Sequence, residues 1–221
     1  MSAPAISRLP TGFPALDHLL GGGWPLGMLT ELLVSGHASP GHASPGHGSP
    51  GHGSPGHGSP GHSSGELGLL SPALARLTTR HPPPAGGWVM LIAPPWIPYA
   101  PGLCWQGLAL NRVLMVSIRQ PLEALWAMEE SLRSGACAGV IAWLGMTATH
   151  PARYSLLQRL HLLAGKQQAW AVLIRAARCR GERSPARLRL QLLYLSPTTL
   201  QVEIFKNGWR GAGTVIVERR F

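Results

Sequence analysis

The sequence predicts an α/β fold: a mostly parallel β-sheet flanked by helices, with an antiparallel β extension at its C-terminal end. Three observations predict it. Short, nearly continuous apolar runs at 28–34, 87–93, 112–118, 139–144 and 168–175 have the length and composition of strands buried on both faces. Segments with helical spacing or helix punctuation separate them, and such alternation is the signature of a parallel sheet. After residue 176 the pattern changes. Arg187, Arg189 and Gln191 alternate with Leu188, Leu190 and Leu192, as in a half-exposed strand.

Taken in order, residues 1–10 read as a flexible tail. Residues 12–20 read as a short helix with Phe13, Leu16, Leu19 and Leu20 on one side, ended by Gly21-Gly22-Gly23. The run 28–34 is the first buried strand. Residues 36–65 are a pentapeptide repeat, Gly-His-Ala-Ser-Pro giving way to Gly-His-Gly-Ser-Pro. It holds no large apolar residue to offset its ordering entropy, so a disordered loop is expected there. Its six histidines, His37 to His62, invite a metal-binding reading, but expansion of a repeat in an insertion-tolerant loop explains them without one. Residues 66–79 read as a helix with Leu67, Leu70, Leu74 and Leu77 on one face. The strand 87–93 runs into Pro94-Pro95-Trp96-Ile97-Pro98-Tyr99-Ala100-Pro101, a stiff aromatic loop that reads equally as a docking surface or as a cap over the core. A short helix near 101–108 and a strand at 112–118 follow. Pro121 suits the first turn of a helix 121–134 that stops at Gly135. After the strand 139–144, Thr149 and Pro151 look like the start of a helix to Ala164 closed by Gly165, and 168–175 is the next strand. Beyond it, Ser196-Pro197-Thr198 turns the chain into 199–206, and a last strand is expected at 213–219. The organisation is therefore a tail (1–10), an α/β domain (11–176) interrupted by the repeat (36–65), and a basic β extension (177–221).

The stretch from Thr11 to Leu70 opens as the strand–loop–helix of a P-loop-type domain should. A phosphate-binding loop belongs directly after the strand 28–34. It needs glycines whose backbone N–H groups face the phosphates, a Lys for the terminal ones and a Ser/Thr hydroxyl for magnesium. Here Ser35-Gly36 runs into the repeat, and the chain resumes at Gly65-Glu66-Leu67. Glu66 and Leu67 stand where Lys and Ser/Thr would be, and a carboxylate there would repel phosphate. No Gly-Lys-Ser/Thr occurs anywhere. Gly36, Gly65, Glu66 and Leu67 thus mark a degenerate phosphate loop, with no cofactor expected.

Composition narrows the function classes. The chain has 221 residues, 45% apolar and only 13% charged, with a formal net charge of +10. Residues 1–152 hold six Lys/Arg and six Asp/Glu; residues 153–221 hold thirteen Lys/Arg against Glu182, Glu203 and Glu218. The excess sits in the last third, mostly as Arg, which favours bidentate contact with phosphate or carboxylate. Arg183, Arg187, Arg189, Lys206, Arg210, Arg219 and Arg220 are the candidates for contact with partner protein or DNA backbone, unless this is only a solvated surface. Cys104, Cys137 and Cys179 are unpaired in spacing, against a disulfide framework or zinc site and in favour of a cytoplasmic location. No signal peptide or membrane span is expected.

Catalysis finds little support. The strand Gly139–Leu144 ends in Trp143-Leu144 without the acid that an NTPase uses to help hold magnesium. Glu123, Glu129 and Glu130 read as exposed helix surface. Asp17 sits too early for a triad, and no nucleophile elbow occurs. His150 and His161 are spaced to share a helix face but lack the partners a metal site needs.

Leu9-Pro10-Thr11-Gly12, Leu16-Asp17, Leu20-Gly21-Gly22-Gly23-Trp24-Pro25 and Leu29-Thr30-Glu31-Leu32-Leu33 together resemble the opening of ImuA proteins, RecA-like accessory factors of translesion DNA synthesis. Further matching segments are Gly65-Glu66-Leu67, Ala93-Pro94-Pro95, Ile97-Pro98-Tyr99-Ala100-Pro101, Leu125-Trp126-Ala127-Met128-Glu129, Leu132-Arg133-Ser134-Gly135-Ala136-Cys137 and Ser184-Pro185-Ala186-Arg187-Leu188-Arg189-Leu190. The resemblance implies a RecA-like sheet and a non-catalytic, SOS-induced scaffold. Its partners would be a Y-family-like polymerase homologue (ImuB), an error-prone replicative-type polymerase and RecA. It also implies that the C-terminal region serves partner binding. The chain departs from the pattern at the pentapeptide insertion, where RecA holds ATP. From Leu67 to Arg175 it is also similar to SulA, the SOS cell-division inhibitor that binds FtsZ. SulA lacks the opening seen at residues 9–34, so ImuA is the leading expectation and a SulA-type inhibitor the alternative.

Overall fold

The computed structural model describes residues 6–35, 65–79, 87–144, 153–196 and 198–218. Most of the repeat, the predicted helix start at Thr149 and Pro151, and His150, Arg219 and Arg220 lie outside the described residues.

Among the described residues, ten strands and five α-helices follow one another: β1 (Arg8–Leu9), α1 (Pro14–Leu20), β2 (Trp24–Pro25), β3 (Met28–Val34), α2 (Gly65–Thr79), β4 (Trp88–Ile92), α3 (Ala100–Trp105), β5 (Val113–Val116), α4 (Pro121–Ser134), β6 (Cys137–Trp143), α5 (Tyr154–Gln167), β7 (Trp170–Ala176), β8 (Leu188–Tyr194), β9 (Thr199–Asn207) and β10 (Gly213–Glu218). Eight strands form one sheet in the order β10-β9-β8-β3-β7-β6-β4-β5. From β8 to β5 every neighbouring pair is parallel, whereas β9 runs antiparallel to both β8 and β10. The expected α/β sheet flanked by helices is therefore present. The antiparallel part begins one strand later than expected: β8 continues the parallel sheet beside β3.

Strand alternation sends side chains to two cores. Leu32, Val34, Val172, Ile174, Leu190 and Leu192 pack beneath α1 and α2. Leu29, Val140, Ala142, Ala171 and Leu173 pack beneath α4 and α5. Strands of this kind need apolar residues at consecutive positions, which is why they read as unbroken runs. β8, β9 and β10 contribute Leu188, Val202 and Val217 to the first core, so the C-terminal strands share the core of the domain they extend.

Residues 8 and 9 are not a tail. They pair antiparallel with Trp24 and Pro25, and Leu9 is buried. Gly23 makes this pairing possible: its φ is +124°, and a Cβ there would lie 2.2 Å from the Leu9 carbonyl oxygen. Helix α5 runs past its expected stop at Gly165, because that glycine passes close to the Gly27 carbonyl and Gln168 takes the left-handed cap instead, with φ +53°.

Candidate functional site

In an open parallel sheet, ligands sit outside the carboxyl ends of the strands where strand order reverses. Here that place is the end of β3, because the chain leaves β3 toward β4 on one side and returns to β8 on the other. An open cleft of 560 Å³ lies along these ends, lined by Val34, Glu66, Pro94, Arg119, Trp143 and Leu144 among others. The chain leaves β4 through Ala93 in the left-handed region, φ +53°, with its N–H donated to the Val116 carbonyl at 2.8 Å. That conformation costs roughly 1–2 kcal/mol for a residue with a Cβ. It turns the Pro94-Pro95 loop over the cleft.

Glu66 stands in the first turn of α2 and is 1% exposed. Its carboxylate accepts a hydrogen bond from Trp143 Nε1 at 3.2 Å and another from the Tyr194 hydroxyl at 2.6 Å. An NTPase places a cation on this helix and an acid at a neighbouring strand end. Here the acid is on the helix, and neutral N–H and O–H donors come from the ends of β6 and β8. The two donors stabilise a negative charge where phosphate would need a positive one. Gly65 and Leu67 flank Glu66 and are buried, with Leu67 packed into the core beneath α2 rather than offering a hydroxyl. Gly36 lies outside the described residues.

The basic candidates do not form one face. Arg189 is turned inward, 5% exposed, with Nε donating to Glu31 Oε2 at 2.6 Å. Arg175 Nη1 donates to the other Glu31 oxygen at 3.3 Å and pairs through Nη2 with Glu182, and Ser184 Oγ also reaches Glu31. This buried cluster ties β3, β7 and β8 together. Glu31 and Glu182 raise the Arg175 pKa against the effect of burial, which lowers it. The alternation at 187–191 thus does not mark a half-exposed strand, because β8 is covered on both faces around Arg189.

Arg183, Arg187 and Lys206 remain at the α5 side. Arg183 lies over the Tyr154 ring, and Lys206 Nζ donates to the Ser184 carbonyl at 2.9 Å. Burial, then Arg189 and Arg187, push the Lys206 pKa down, with Glu31 opposing. His161 of α5 accepts the Leu29 N–H through Nδ1 at 3.3 Å. Burial lowers its pKa, and Arg187 and Lys206 lower it further. Arg210 sits elsewhere, beside α1, donating to the His18 carbonyl at 3.2 Å. It neighbours Arg8, whose guanidinium lies over Trp209.

Glu129, read as exposed, is 5% exposed and paired with Arg133 at 2.6 Å and Arg159 at 2.9 Å. It joins α4 to α5. Asp17 Oδ1 accepts the Thr11 N–H at 2.8 Å. Among the described residues, no group of three or more His, Cys, Asp or Glu is placed to hold a metal ion, and no helix is long and apolar enough to cross a membrane. The chain matches no protein-family model and no curated protein.

Proposed function

We propose that this protein is a non-catalytic, RecA-like accessory factor of mutagenic lesion bypass. It would work as a cytoplasmic scaffold for a Y-family-like polymerase homologue (ImuB), an error-prone replicative-type polymerase and RecA. The carrying observation is the Glu66 carboxylate, buried at the phosphate position and held by Trp143 and Tyr194. A P-loop-type sheet arranged in this way keeps the framework of nucleotide binding and lacks its charge. The β1–α1–β2 opening supports the ImuA-type reading over the SulA-type one, since Leu9, Leu16, Leu20 and Trp24 belong to the main core rather than to a dispensable tail. The exposed cations of the C-terminal third supply the surface for partner protein or DNA backbone.

The test is affinity capture of the tagged full chain from DNA-damaged cells, with magnesium ATP titrated into the purified protein by calorimetry. Recovery of lesion-bypass polymerase subunits or RecA, with no saturable ATP heat, is the expected result. Recovery of FtsZ in their place transfers the chain to the division-inhibitor class, and saturable ATP binding overturns the non-catalytic reading.

A further inference from the structure

We infer that Arg187, Lys206 and His161 form one oxyanion site, which takes the phosphodiester backbone of nucleic acid. The inference deepens the contact surface proposed above and rests on that reading for the choice of DNA as the source of phosphate. Strand register brings the three residues together. On β3, Leu29 packs on the α4 and α5 side of the sheet, and Glu31, two residues on, takes Arg189 of β8. Thr30 is opposite Leu188, which sets Arg187 beside Leu29. Lys206 of β9 is opposite Arg189, and its Nζ donates to the Ser184 carbonyl at 2.9 Å. His161 reaches the group from α5, with Nδ1 accepting the Leu29 N–H at 3.3 Å. The charges of Arg187 and Lys206 both act on His161, and that of Arg187 acts on Lys206.

What this cluster lacks is an acid. Nearby guanidinium groups have one: Arg175 and Arg189 pair with Glu31, Arg180 with Glu203 and Arg159 with Glu129. Arg187 and Lys206 make no ion pair among the described residues. Each is anchored on a neutral carbonyl instead, that of Gly208 at 3.4 Å and that of Ser184 at 2.9 Å. A guanidinium has five N–H donors and an ammonium three, so most of theirs stay free to face a ligand. The two cations also repel. Burial, then Arg189 and Arg187, lower the Lys206 pKa, with Glu31 opposing. Exposed cations held side by side with no carboxylate between them are relieved by an anion.

His161 adds a further donor and a dependence on pH. Because Nδ1 accepts a hydrogen bond, the neutral ring carries its proton on Nε2, which is turned away from the Leu29 N–H. The bond to Leu29 is the ring's only hydrogen bond among the described residues. Burial, then Arg187 and Lys206, hold the His161 pKa below 6.5. The other charged groups around α5 are already engaged. Glu31 accepts from Arg175, Arg189 and Ser184, Glu129 of α4 from Arg133 and Arg159, and Arg183 lies over Tyr154. Phosphate at Arg187 and Lys206 offsets both charges that act on the ring, so the proton affinity of His161 rises. By reciprocity, phosphate is held more tightly as pH falls below 6.5.

The setting selects a backbone of successive phosphates over a single ion. Arg187 and Lys206 are exposed, and an isolated charge gains little at an exposed site. Arg183 and the exposed Arg153 adjoin Tyr154 at the start of α5, so an extended polyanion meets further cations along the same helix. The net charge of +10 draws such a ligand in from a distance. Guanidinium forks match phosphate oxygens in geometry as well as in charge.

The test reads His161 and affinity together on the full chain. The His161 ring signal is assigned in proton–carbon NMR spectra by its loss in H161N. It is titrated from pH 7.5 to 5.5, alone and saturated with a short DNA duplex whose diesters keep their charge over that range. Anisotropy of the labelled duplex at about 50 mM salt reads affinity. Three results are expected. The His161 midpoint moves up toward 6.5 when duplex is bound. R187Q/K206Q loses at least about tenfold in affinity at pH 7.5, while R210Q, beside α1, binds like the wild type. The gain in affinity on going to pH 5.5 is at least about threefold larger in the wild type than in H161N, a comparison that cancels the other histidines. Circular dichroism checks that each variant is folded; should H161N unfold at pH 5.5, the wild-type titration and R187Q/K206Q decide. A His161 midpoint unmoved by saturating duplex overturns the proposal. So does a folded R187Q/K206Q that binds like the wild type, an equal loss in R210Q, or no retention of duplex at pH 5.5. A midpoint raised by polyglutamate with no duplex retained assigns the site to acidic protein surface and overturns phosphate. Recovery of FtsZ in the capture experiment overturns the lesion-bypass reading without touching any of these readouts, so the two failures are distinct.

Discussion

Glu66 is the residue on which the reading of the cleft turns, and its removal has a calculable cost. Glu66→Ala leaves Trp143 Nε1 and the Tyr194 hydroxyl without the acceptor they share. The Trp143 N–H is the buried donor of the two, and a buried donor that loses its acceptor costs about 1–3 kcal/mol, so the expected loss is about 1–3 kcal/mol in urea unfolding. A loss below about 0.5 kcal/mol would show that the carboxylate is not what holds these strand ends. His161 gives a second prediction. Its Nδ1 must be unprotonated to accept the Leu29 N–H, and burial, Arg187 and Lys206 all hold its pKa below 6.5. The unfolded chain therefore binds the proton first. Stability is present in full above pH 6.5 and falls as pH drops from there toward the folded-state value. His161→Asn keeps an acceptor without titrating, so its unfolding free energy should change less between pH 7 and 5 than that of the wild type. Equal slopes would sink the assignment. The identity of Glu66 as a misplaced acid was legible from its position after β3. Its partners were not, because they lie 77 and 128 residues away and neither donor carries a local signal. Arg189 misled for a related reason: alternation describes a strand with one wet face, and a buried acid on β3 removed that condition.

Elements were legible wherever the local signal was strong. The apolar runs became β3, β4, β5, β6 and β7, and Gly135 ends α4 in the left-handed conformation expected of it. Two-residue strands carry no period at all, which is why β1 and β2 could not be read and residues 8 and 9 were assigned to a tail. Gly165 was read as a helix stop on a sound local rule, but a tertiary close approach to the Gly27 carbonyl decided its role. The β1–β2 pair matters because it closes the α1 layer over Leu16, Leu20 and Trp24. Gly23→Ala tests it directly. The added Cβ meets the Leu9 carbonyl at 2.2 Å in a backbone conformation that alanine resists, so β1 must leave β2. Expected are a loss of about 2 kcal/mol or more and fast hydrogen exchange across residues 8–25, with α5 amides still protected. An unchanged melting temperature would mean that the opening adds nothing to the fold.

At the scale of the molecule, the cations of the C-terminal third are spread over more than one side of the sheet. The candidate cations of the C-terminal third divide between the α5 side, with Arg183, Arg187 and Lys206, and the α1 side, with Arg210 beside Arg8, while Arg153, Arg159 and Lys166 add exposed charge at α5. The asymmetry along the chain was visible in the sequence, but the division between two sides was not, because it depends on which way each strand turns its residues. The division limits how the protein can hold nucleic acid. A duplex held through Arg183, Arg187 and Lys206 alone neutralises about three phosphates, so the slope of log affinity against log salt should be about −2.7. R187E/K206E should abolish retention while Arg210→Glu leaves it intact, as read by fluorescence anisotropy of a labelled 30-mer from 50 to 200 mM salt. A slope of −6 or steeper would require further cations, such as Arg153, Arg159 and Lys166 at α5, and would refute binding through those three alone. Absence of retention even at 50 mM would assign the α5 side to acidic surface on a protein partner, since the same guanidinium forks serve carboxylate as well as phosphate.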